Sequence, residues 1–298
     1  MGKRPPQSRS SKRPPATVAD LVGLALSRFR AAKLVFAHGT SDPVAEAAFL
    51  VCEALHVPPQ RFDASARRRV SAAERAAVLD LIEARIRTRK PAAYLVHKSY
   101  IQGVPFYVDE RVIVPRSYLG EILASDLIAE EGYALVDPRR VARVLDLCTG
   151  SGCLAVLAAL RFPHAAVDAV DLSDDALEVA RINVAEHRLA DRVRLLCGDL
   201  FAPLADARYD LILTNPPFGG KEGVEAQKNY AYATGSTQVL FVQDILGELG
   251  KKTSVRRNLE NLHPGNFGHP SCTHQSQDRR PLHGPRHFGP GIHRSFLS

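Results

Sequence analysis

The sequence predicts an α/β protein in which a small helical domain precedes a Rossmann-like, doubly wound parallel sheet. Three observations support this: amphipathic helical patterns before residue 98, apolar strands alternating with helices after residue 140, and a glycine-rich turn ending the first of these strands. Strands that alternate with helices imply parallel βαβ units with right-handed crossovers. Such sheets place their sites at the carboxyl ends of the strands.

The composition is typical of a globular chain. Its 298 residues are 45% hydrophobic and 24% charged, which excludes a wholly disordered protein. No apolar run reaches the roughly 18–20 residues that cross a bilayer, and the basic, Pro-rich start does not resemble a signal peptide. We expect reduced thiols and a cytoplasmic location because no CxxC pair is formed by the five cysteines, Cys52, Cys148, Cys153, Cys197 and Cys272.

The net charge of +7 comes from the two ends of the chain. Residues 1–19 hold five basic and no acidic residues, and residues 251–298 hold eight basic and two acidic ones. Residues 20–250 hold the remaining 26 basic and 30 acidic residues, so the body is mildly acidic. The basic ends are either disordered and solvated or contact nucleic acid such as ribosomal RNA.

A helical domain is predicted for residues 17–98, after a disordered basic arm at residues 1–16. Three helix starts are indicated by capping patterns at Thr17 with Asp20, at Asp42 with Pro43, and at Ser71 with Glu74. The apolar residues expected to be buried are Leu21, Leu24 and Phe29 in the first helix, Val44, Ala48, Val51 and Leu55 in the second, and Leu79, Ile82 and Ile86 in the third.

Within residues 99–116 the apolar pattern changes to a period of two, which predicts a β-hairpin linker. Its apolar segments are Tyr100-Ile101, Phe106-Tyr107-Val108 and Val112-Ile113-Val114, and its turn is Gln102-Gly103. The sheet domain is predicted for residues 117–250 and begins with a helix near 117–130. Its strands are expected at 144–147, 167–171, 193–197 and 211–214, with helices from Gly152 and over 174–188.

The first strand of this domain runs into a glycine-rich loop that predicts a nucleotide cofactor. Gly150 and Gly152 permit a tight turn and a close approach of the backbone to a ligand. The following helix amino end favours a carboxylate. The residues of this loop expected to contact the cofactor are Asp146, Thr149, Gly150, Ser151 and Gly152, and Asn215, further along the chain, is expected to contact it too. The glycine spacing suits S-adenosyl-L-methionine and NAD about equally.

Two further acidic residues follow the next strands. Asp171 comes nineteen residues after Gly152, where it is suited to accept hydrogen bonds from a ribose diol. Its alternative role is to cap the next helix, although Ser173 is better placed for that. Asp199 either accepts from an adenine amino group or is an ordinary turn carboxylate.

The fourth strand ends in Asn215-Pro216-Pro217-Phe218, and this motif favours a nitrogen methyltransferase over an NAD enzyme. The lone pair of a planar amide is delocalised, so its nitrogen is a poor nucleophile. The Asn215 side-chain carbonyl and the Pro216 backbone carbonyl can accept its two N–H bonds and hold the nitrogen in line with a sulfonium methyl. The prolines fix the backbone, and Phe218 can pack on the planar group. The alternative is a turn that merely ends a strand.

Other chemistry is poorly supported by the sequence. No Pro-Cys nucleophile follows the fourth strand, as carbon-5 pyrimidine methylation would need. His269, Cys272 and His274 lack a fourth ligand and the usual spacing of a zinc site, so we expect no metal.

Residues 17–218 resemble the protein-glutamine N5-methyltransferases of the PrmB and HemK group, and PrmB more closely. The matching segments are Ser27-Arg28-Phe29-Arg30-Ala31-Ala32, His38-Gly39-Thr40 and Phe106-Tyr107-Val108-Asp109-Glu110-Arg111-Val112-Ile113-Val114-Pro115-Arg116-Ser117. The resemblance implies that Asn215 and Pro216 hold a glutamine amide, and that the glycine loop, Asp171 and Asp199 hold S-adenosyl-L-methionine. It also implies a substrate-recognition role for the helical domain and, as substrate, a glutamine-bearing loop of the third large-subunit ribosomal protein.

The sequence departs from this family toward its carboxyl end. Phe218 stands where the family usually has Tyr. Residues 218–245 resemble instead the modification subunits of type I restriction systems, which methylate adenine, and the matching segment runs from Gly219-Gly220-Lys221-Glu222-Gly223 through Gln238-Val239-Leu240-Phe241-Val242-Gln243. Beyond Lys252 neither resemblance continues, and we expect residues 251–298 to be a disordered basic tail on an incomplete sheet. A fused or frameshifted reading frame would explain this change.

The sequence therefore predicts S-adenosyl-L-methionine-dependent methylation of a ribosomal-protein glutamine. Two alternatives stay open. One is adenine methylation of DNA, favoured by residues 218–245 and the basic ends. The other is an inactive fold that binds cofactor or partner without turnover.

Overall fold

The computed structural model describes residues 17–36, 40–128, 136–204 and 207–215. The chain divides into two compact units. The first reaches to Ser99 and takes in Val108–Glu110, and the second comprises Tyr100–Tyr107 and the chain from Arg111 onward. No helix in the described ranges is long and apolar enough to cross a membrane.

Several predictions lie outside the described residues. They concern the basic arm at 1–16, the motif residues Pro216, Pro217 and Phe218, the histidine and cysteine cluster at 269–274, and the tail at 251–298. These stay predictions.

The first unit is helical, as predicted. Its helices are α1 (Val18–Ala31), α2 (Pro43–Ala54), α3 (Phe62–Ser65), α4 (Ala72–Thr88) and α5 (Ala92–Val96), with a 3-10 turn at Pro59–Arg61. The three predicted caps are confirmed: Thr17 and Ser71 each form a capping box, and Asp42 accepts from the Val44 N–H at 2.8 Å. The short helices α3 and α5 were not predicted, because four or five residues are too few to show a helical period.

Five of the ten apolar residues that were expected to be buried are buried, and four others are half-buried, namely Leu24, Ala48, Leu79 and Ile86. Leu21, Phe29 and Ile82 are fully buried. Val44 was expected to be buried but is 45% exposed. Helical side chains point toward the amino end, so a first-turn side chain on α2 extends beyond the packed part of the helix.

The linker is a hairpin only in its first half. β1 (Ser99–Ile101) and β2 (Val104–Phe106) form a two-stranded sheet. Gln102 (φ +51°) and Gly103 (φ +76°) both adopt the left-handed conformation that a tight two-residue hairpin turn requires. The predicted strand at 112–114 is wrong. Its alternating pattern reflects an extended segment held by side-chain burial, since Val112 and Val114 are buried and Ile113 is exposed.

The described residues of the second unit form a four-stranded parallel sheet flanked by helices. Its strands are β3 (Arg143–Leu147), β4 (Ala166–Asp171), β5 (Val193–Cys197) and β6 (Leu211–Thr214), in the order β5-β4-β3-β6. Its helices are α6 (Tyr118–Ala124), α7 (Cys153–Arg161) and α8 (Asp174–Glu186), with a 3-10 turn at Pro138–Arg140. This confirms the predicted βαβ order. The helix expected near 117–130 ends early because the Ser125 hydroxyl donates to the Ile122 carbonyl and accepts from the Leu127 N–H.

Both faces of the two central strands, β3 and β4, are buried, as is typical of a parallel sheet. Along β3, Val144 packs in the cluster that contains α7, whereas Leu145 and Leu147 pack on the other face with Leu204 and Tyr209. These strands are therefore packed from both sides, and their carboxyl ends lie at the same edge of the sheet.

The start of β6 is fixed by side chains. The Asp210 carboxylate accepts from the Ala142 N–H at 2.8 Å and from the Arg143 N–H at 3.0 Å. The Tyr209 hydroxyl donates to Asp168 of β4 at 2.6 Å. These contacts set the β6 register so that Thr214 pairs with Leu147, and the chain leaves the sheet at Asn215.

Candidate cofactor and acceptor site

The glycine loop between β3 and α7 has a left-handed backbone at three positions. These are Cys148 (φ +56°), Gly150 (φ +54°) and Gly152 (φ +75°). A Cβ at Gly152 would lie 3.0 Å from the Ala180 Cβ, so the close approach of α8 requires glycine there. A Cβ at Gly150 would meet no atom of the described chain within 4 Å. The loop thus packs on α8 at Gly152 and is open at Gly150.

Asp146 is a buried carboxylate at the base of this loop. Its Oδ2 accepts from the Thr149 hydroxyl at 2.5 Å and from the Ala155 N–H at 3.0 Å. Its Oδ1 is buried and has no hydrogen-bond partner in the described part of the chain. Burial raises the pKa of Asp146 to about 7, against the lowering effect of these two hydrogen bonds. A buried carboxylate oxygen without a partner is costly, which is a common sign of a functional position.

Asp171 connects β4 to the same loop. Its Oδ2 accepts from the Gly150 N–H at 2.8 Å, and its Oδ1 accepts from the Ser173 N–H at 3.0 Å. The Ser173 side chain caps α8 by accepting from the Ala176 N–H, as the sequence indicated. Asp171 is only partly buried. It therefore orients the loop while part of its carboxyl group stays accessible to a ligand.

Three predicted acidic residues act electrostatically on one thiol. Cys148 lies at the centre of this edge, and burial raises its pKa, helped by the charges of Asp171, Asp146 and Asp199. Asp199 itself follows β5, where Gly198 donates to the Asp171 carbonyl at 3.0 Å. The sheet therefore brings these acidic residues together. The neutral Cys148 thiol is unsuited to act as a nucleophile, because the thiolate is the reactive form.

Asn215 reaches the same edge from β6. The pairing of Thr214 with Leu147 sets Asn215 level with Cys148, where the glycine loop begins. The Thr214 hydroxyl donates to the Leu147 carbonyl at 3.1 Å and strengthens this register. The Asn215 side chain is exposed, and its Nδ2 lies 3.5 Å from the Arg116 carbonyl oxygen. An amide side chain thus stands at the solvent side of the loop.

One residue of this region was not predicted from the sequence. Asn183 in α8 is fully buried and hydrogen bonds to the Ser151 carbonyl at 2.8 Å and to both backbone groups of Tyr107. A signal was present, because Asn is a poor helix former in a helix interior and needs partners when it is buried. The identity of those partners depends on the tertiary fold.

A shallow cavity of about 510 Å³ lies at the opposite, amino ends of the strands. Arg143, Asp168, Arg192 and Arg194 contribute to its lining. None of the predicted site residues within the described ranges lines it. Asp168 is already paired with Arg194 at 2.8 Å and with the Tyr209 hydroxyl. This cavity is therefore not the candidate site.

Family models match both units of the chain. Residues 124–241 match the methyltransferase small domain, and residues 29–96 match the PrmC N-terminal domain. The first match includes the glycine loop, Asp171, Asp199 and the whole Asn-Pro-Pro-Phe motif.

Curated relatives are similar over most of the chain. The ribosomal protein uL3 glutamine methyltransferase of Bradyrhizobium diazoefficiens is 64% identical over 212 residues, which cover 70% of this chain and 66% of that relative. The Bordetella pertussis enzyme of the same name is 50% identical over 68% of this chain and 66% of its own length. The Burkholderia pseudomallei enzyme is 46% identical over 80% of this chain and 81% of its own length. The chain thus spans slightly less than two thirds of the first two relatives.

Proposed function

We propose, because the chain belongs to the ribosomal protein uL3 glutamine methyltransferase family, that it transfers a methyl group from S-adenosyl-L-methionine to a glutamine side-chain amide of ribosomal protein uL3. One observation carries the proposal. The register of β6 on β3 sets Asn215 beside the start of the glycine loop. An amide-binding group and a cofactor-binding loop then share one edge of the sheet.

The described residues fit the proposed cofactor. A Cβ at Gly150 would meet no atom of the described residues within 4 Å, Asp146 holds a carboxylate oxygen without a partner among them, and Asp171 is partly accessible. We assign the methionine portion to the glycine loop and Asp146, the ribose hydroxyls to Asp171, and the adenine amino group to Asp199. When bound, S-adenosyl-L-methionine supplies an electrophilic methyl group on its sulfonium. The protein needs no nucleophile of its own for this transfer.

The role of Asn215 is to bind and orient the acceptor amide. Its Nδ2 faces the Arg116 carbonyl, so Oδ1 is the atom that accepts from a substrate N–H in this proposal. A carbonyl acceptor draws electron density toward the amide nitrogen and holds that nitrogen in one orientation. Pro216 would offer a second acceptor and Phe218 an aromatic surface, both from outside the described residues. The helical unit is the proposed substrate-recognition part, which the match of residues 29–96 supports.

The proposed activity is tested by methyl transfer from radiolabelled S-adenosyl-L-methionine to purified uL3 and, separately, to adenine-containing DNA. We expect label in uL3, on a glutamine after proteolysis and mass spectrometry, and none in DNA. Label in DNA alone would replace the proposal with adenine methylation. Cofactor binding without transfer to either would support the inactive alternative.

The assignment of Asp171 predicts a loss of cofactor affinity. Asp171→Ala should weaken binding of S-adenosylhomocysteine by about 1.5–3 kcal/mol, because the ribose hydroxyls lose a charged acceptor. Titration calorimetry measures this directly. Ser173→Ala is the matched control, since it removes the α8 cap and leaves the carboxylate in place. Equal affinity of the Asp171 variant and the parent would restrict Asp171 to a structural role.

A further inference from the structure

Asn183 uses its side chain to join two backbone segments. Its Oδ1 accepts from the Tyr107 N–H at 2.7 Å, and its Nδ2 donates to the Tyr107 carbonyl at 3.0 Å and to the Ser151 carbonyl at 2.8 Å. Its side chain is completely buried. A side-chain amide offers two N–H donors and one carbonyl acceptor. Both N–H groups and the carbonyl oxygen are therefore used, in two bonds to Tyr107 and one to the glycine loop.

Helix α8 contacts the glycine loop at a second point. Ala180, three residues before Asn183, is the residue against which Gly152 packs. Asp171, the last residue of β4 and two residues before the cap of α8, accepts a hydrogen bond from the Gly150 N–H. The loop thus contacts α8 at Gly152 and the end of β4, which leads into α8, at Gly150, so a ligand that fixes the loop also restrains α8.

The same helix holds the linker at three points. His187 contacts the Pro105 carbonyl at 2.8 Å, Asn183 contacts Tyr107, and Glu178 pairs with Arg111 at 2.8 Å. Five residues beyond Arg111, the Arg116 carbonyl lies beside the Asn215 amide. We call residues 105–107 and 111–116 the linker stretches. They run from α8 to the proposed acceptor-binding side chain.

Asn183 is the contact where the loop and the linker meet on a single side chain. Its amide nitrogen is shared between the Ser151 and Tyr107 carbonyls, so the two contacts are made or lost together when the side chain moves. Opening of the loop away from Ser151 would loosen the hold on Tyr107. A ligand that closes the loop would strengthen this hold without any new contact to the linker.

We propose that Asn183 is a positioning residue that couples the glycine loop to the linker stretches, so that cofactor binding also fixes the backbone beside Asn215. This inference rests on the proposed function, which assigns the cofactor to the loop. The coupling is reciprocal. If the bound cofactor raises the affinity for the acceptor by some factor, an acceptor that fixes the linker stretches raises the affinity for the cofactor by that same factor. The coupling makes the position of the linker stretches depend on the cofactor. Asn183 takes no part in the chemical step.

The test is hydrogen exchange of the full chain with and without saturating S-adenosylhomocysteine. The reporter is the Tyr107 amide, which donates to Asn183. We expect the ligand to slow its exchange by about tenfold in the parent. In Asn183→Asp, which keeps an acceptor oxygen for Tyr107 and removes both donated bonds, we expect the bound ligand to leave this exchange unchanged. Calorimetry on the same samples verifies that ligand is bound.

Glu178→Gln is the matched control on the same helix. It weakens the pairing with Arg111 but leaves Asn183 and the loop untouched, so the ligand should still slow Tyr107 exchange. With uL3 as acceptor, Asn183→Asp should lower kcat by about tenfold, with less than about threefold change in cofactor Kd.

The parent alone can overturn the proposal, whatever the variant does. If the parent binds S-adenosylhomocysteine and Tyr107 exchange does not respond, Asn183 is a static structural residue and the proposed function is unaffected. If the parent does not bind the ligand, both proposals fail. A ligand response that persists in Asn183→Asp also overturns the coupling.

Discussion

Asn215→Ala is expected to lower methyl transfer to uL3 by about 10²-fold or more, because the acceptor amide loses the side chain that orients its nitrogen. Cofactor affinity should stay nearly that of the parent, since the proposed role of Asn215 is at the acceptor. Initial rates at saturating uL3 and calorimetry with S-adenosylhomocysteine measure the two effects. A large loss of rate with intact cofactor binding distinguishes an acceptor role from a damaged fold.

Thr214→Val is the matched control for this experiment. It removes the hydrogen bond to the Leu147 carbonyl from the same strand end and keeps the branched shape of the side chain. We expect a loss of a few-fold at most, because one such bond contributes about 1 kcal/mol. Full activity of Asn215→Ala would remove Asn215 from the mechanism. Equal losses in both variants would indicate that only the β6 register matters.

Asp146→Asn is expected to stabilise the cofactor-free protein above pH 7 and to weaken cofactor binding. Burial raises the pKa of Asp146 from 3.8 to about 7. The folded state therefore binds a proton more tightly than the unfolded state does. The protonated Asp146 carboxyl group contributes fully to the free energy of unfolding below about pH 4. This contribution is lost as the pH rises through 7. The neutral amide avoids the cost of a buried charge at every pH.

The size of this effect follows from the pKa shift. A rise of about three pKa units corresponds to about 4 kcal/mol between the two ends of the titration. Urea unfolding of parent and variant at pH 5, 6, 7 and 8 should show a difference that grows with pH and then levels off. S-adenosylhomocysteine should bind the variant at least about tenfold more weakly, since a charged partner of the ligand is lost.

Asp168→Asn is a control in which the stability is expected to change with pH in the opposite direction. Burial alone would raise the pKa of Asp168, but the hydrogen bonds from Arg194 and Tyr209 lower it. Its carboxylate therefore stabilises the fold at neutral pH, and this contribution is lost as the pH falls below the ordinary pKa of an aspartate side chain. The Asp168 variant should be less stable than the parent at pH 7. If the two variants change with pH in the same direction, the pKa shift of Asp146 is not the cause of its effect.

Local signals in the sequence predicted much of the fold. The capping pairs at Thr17 and Ser71 placed two helix starts correctly, because a cap involves residues only three positions apart. The bounds of β5 and β6 were predicted to the residue, since apolar runs bounded by turns are visible without tertiary information. Gly152 was expected to let the backbone approach a ligand, but a Cβ there would meet Ala180, so the glycine is needed for the packing of α8 on the loop.

The remaining features depend on contacts between distant residues. The alternation at 112–114 suggested a strand, but no partner strand pairs with this segment in the described chain, so only burial shapes it. Asn183 gave no motif, because its partners Tyr107 and Ser151 lie 76 and 32 residues away. The double use of Asp171 by Gly150 and Ser173 was likewise not visible, since it requires the loop to fold back on β4.

The pairing of β6 with β3 has a consequence for how the chain assembles. The glycine loop, Asp171 and Asp199 come from one continuous stretch of βα units, whose contacts are local and form early in folding. Asn215 joins them only when β6 pairs with β3, across contacts such as that of Asp210 with Arg143, which lie 67 residues apart. Closing this long loop is the entropically expensive step. We therefore expect β3, β4 and β5 to pair before β6 does, so that the proposed cofactor residues come together before Asn215 joins them.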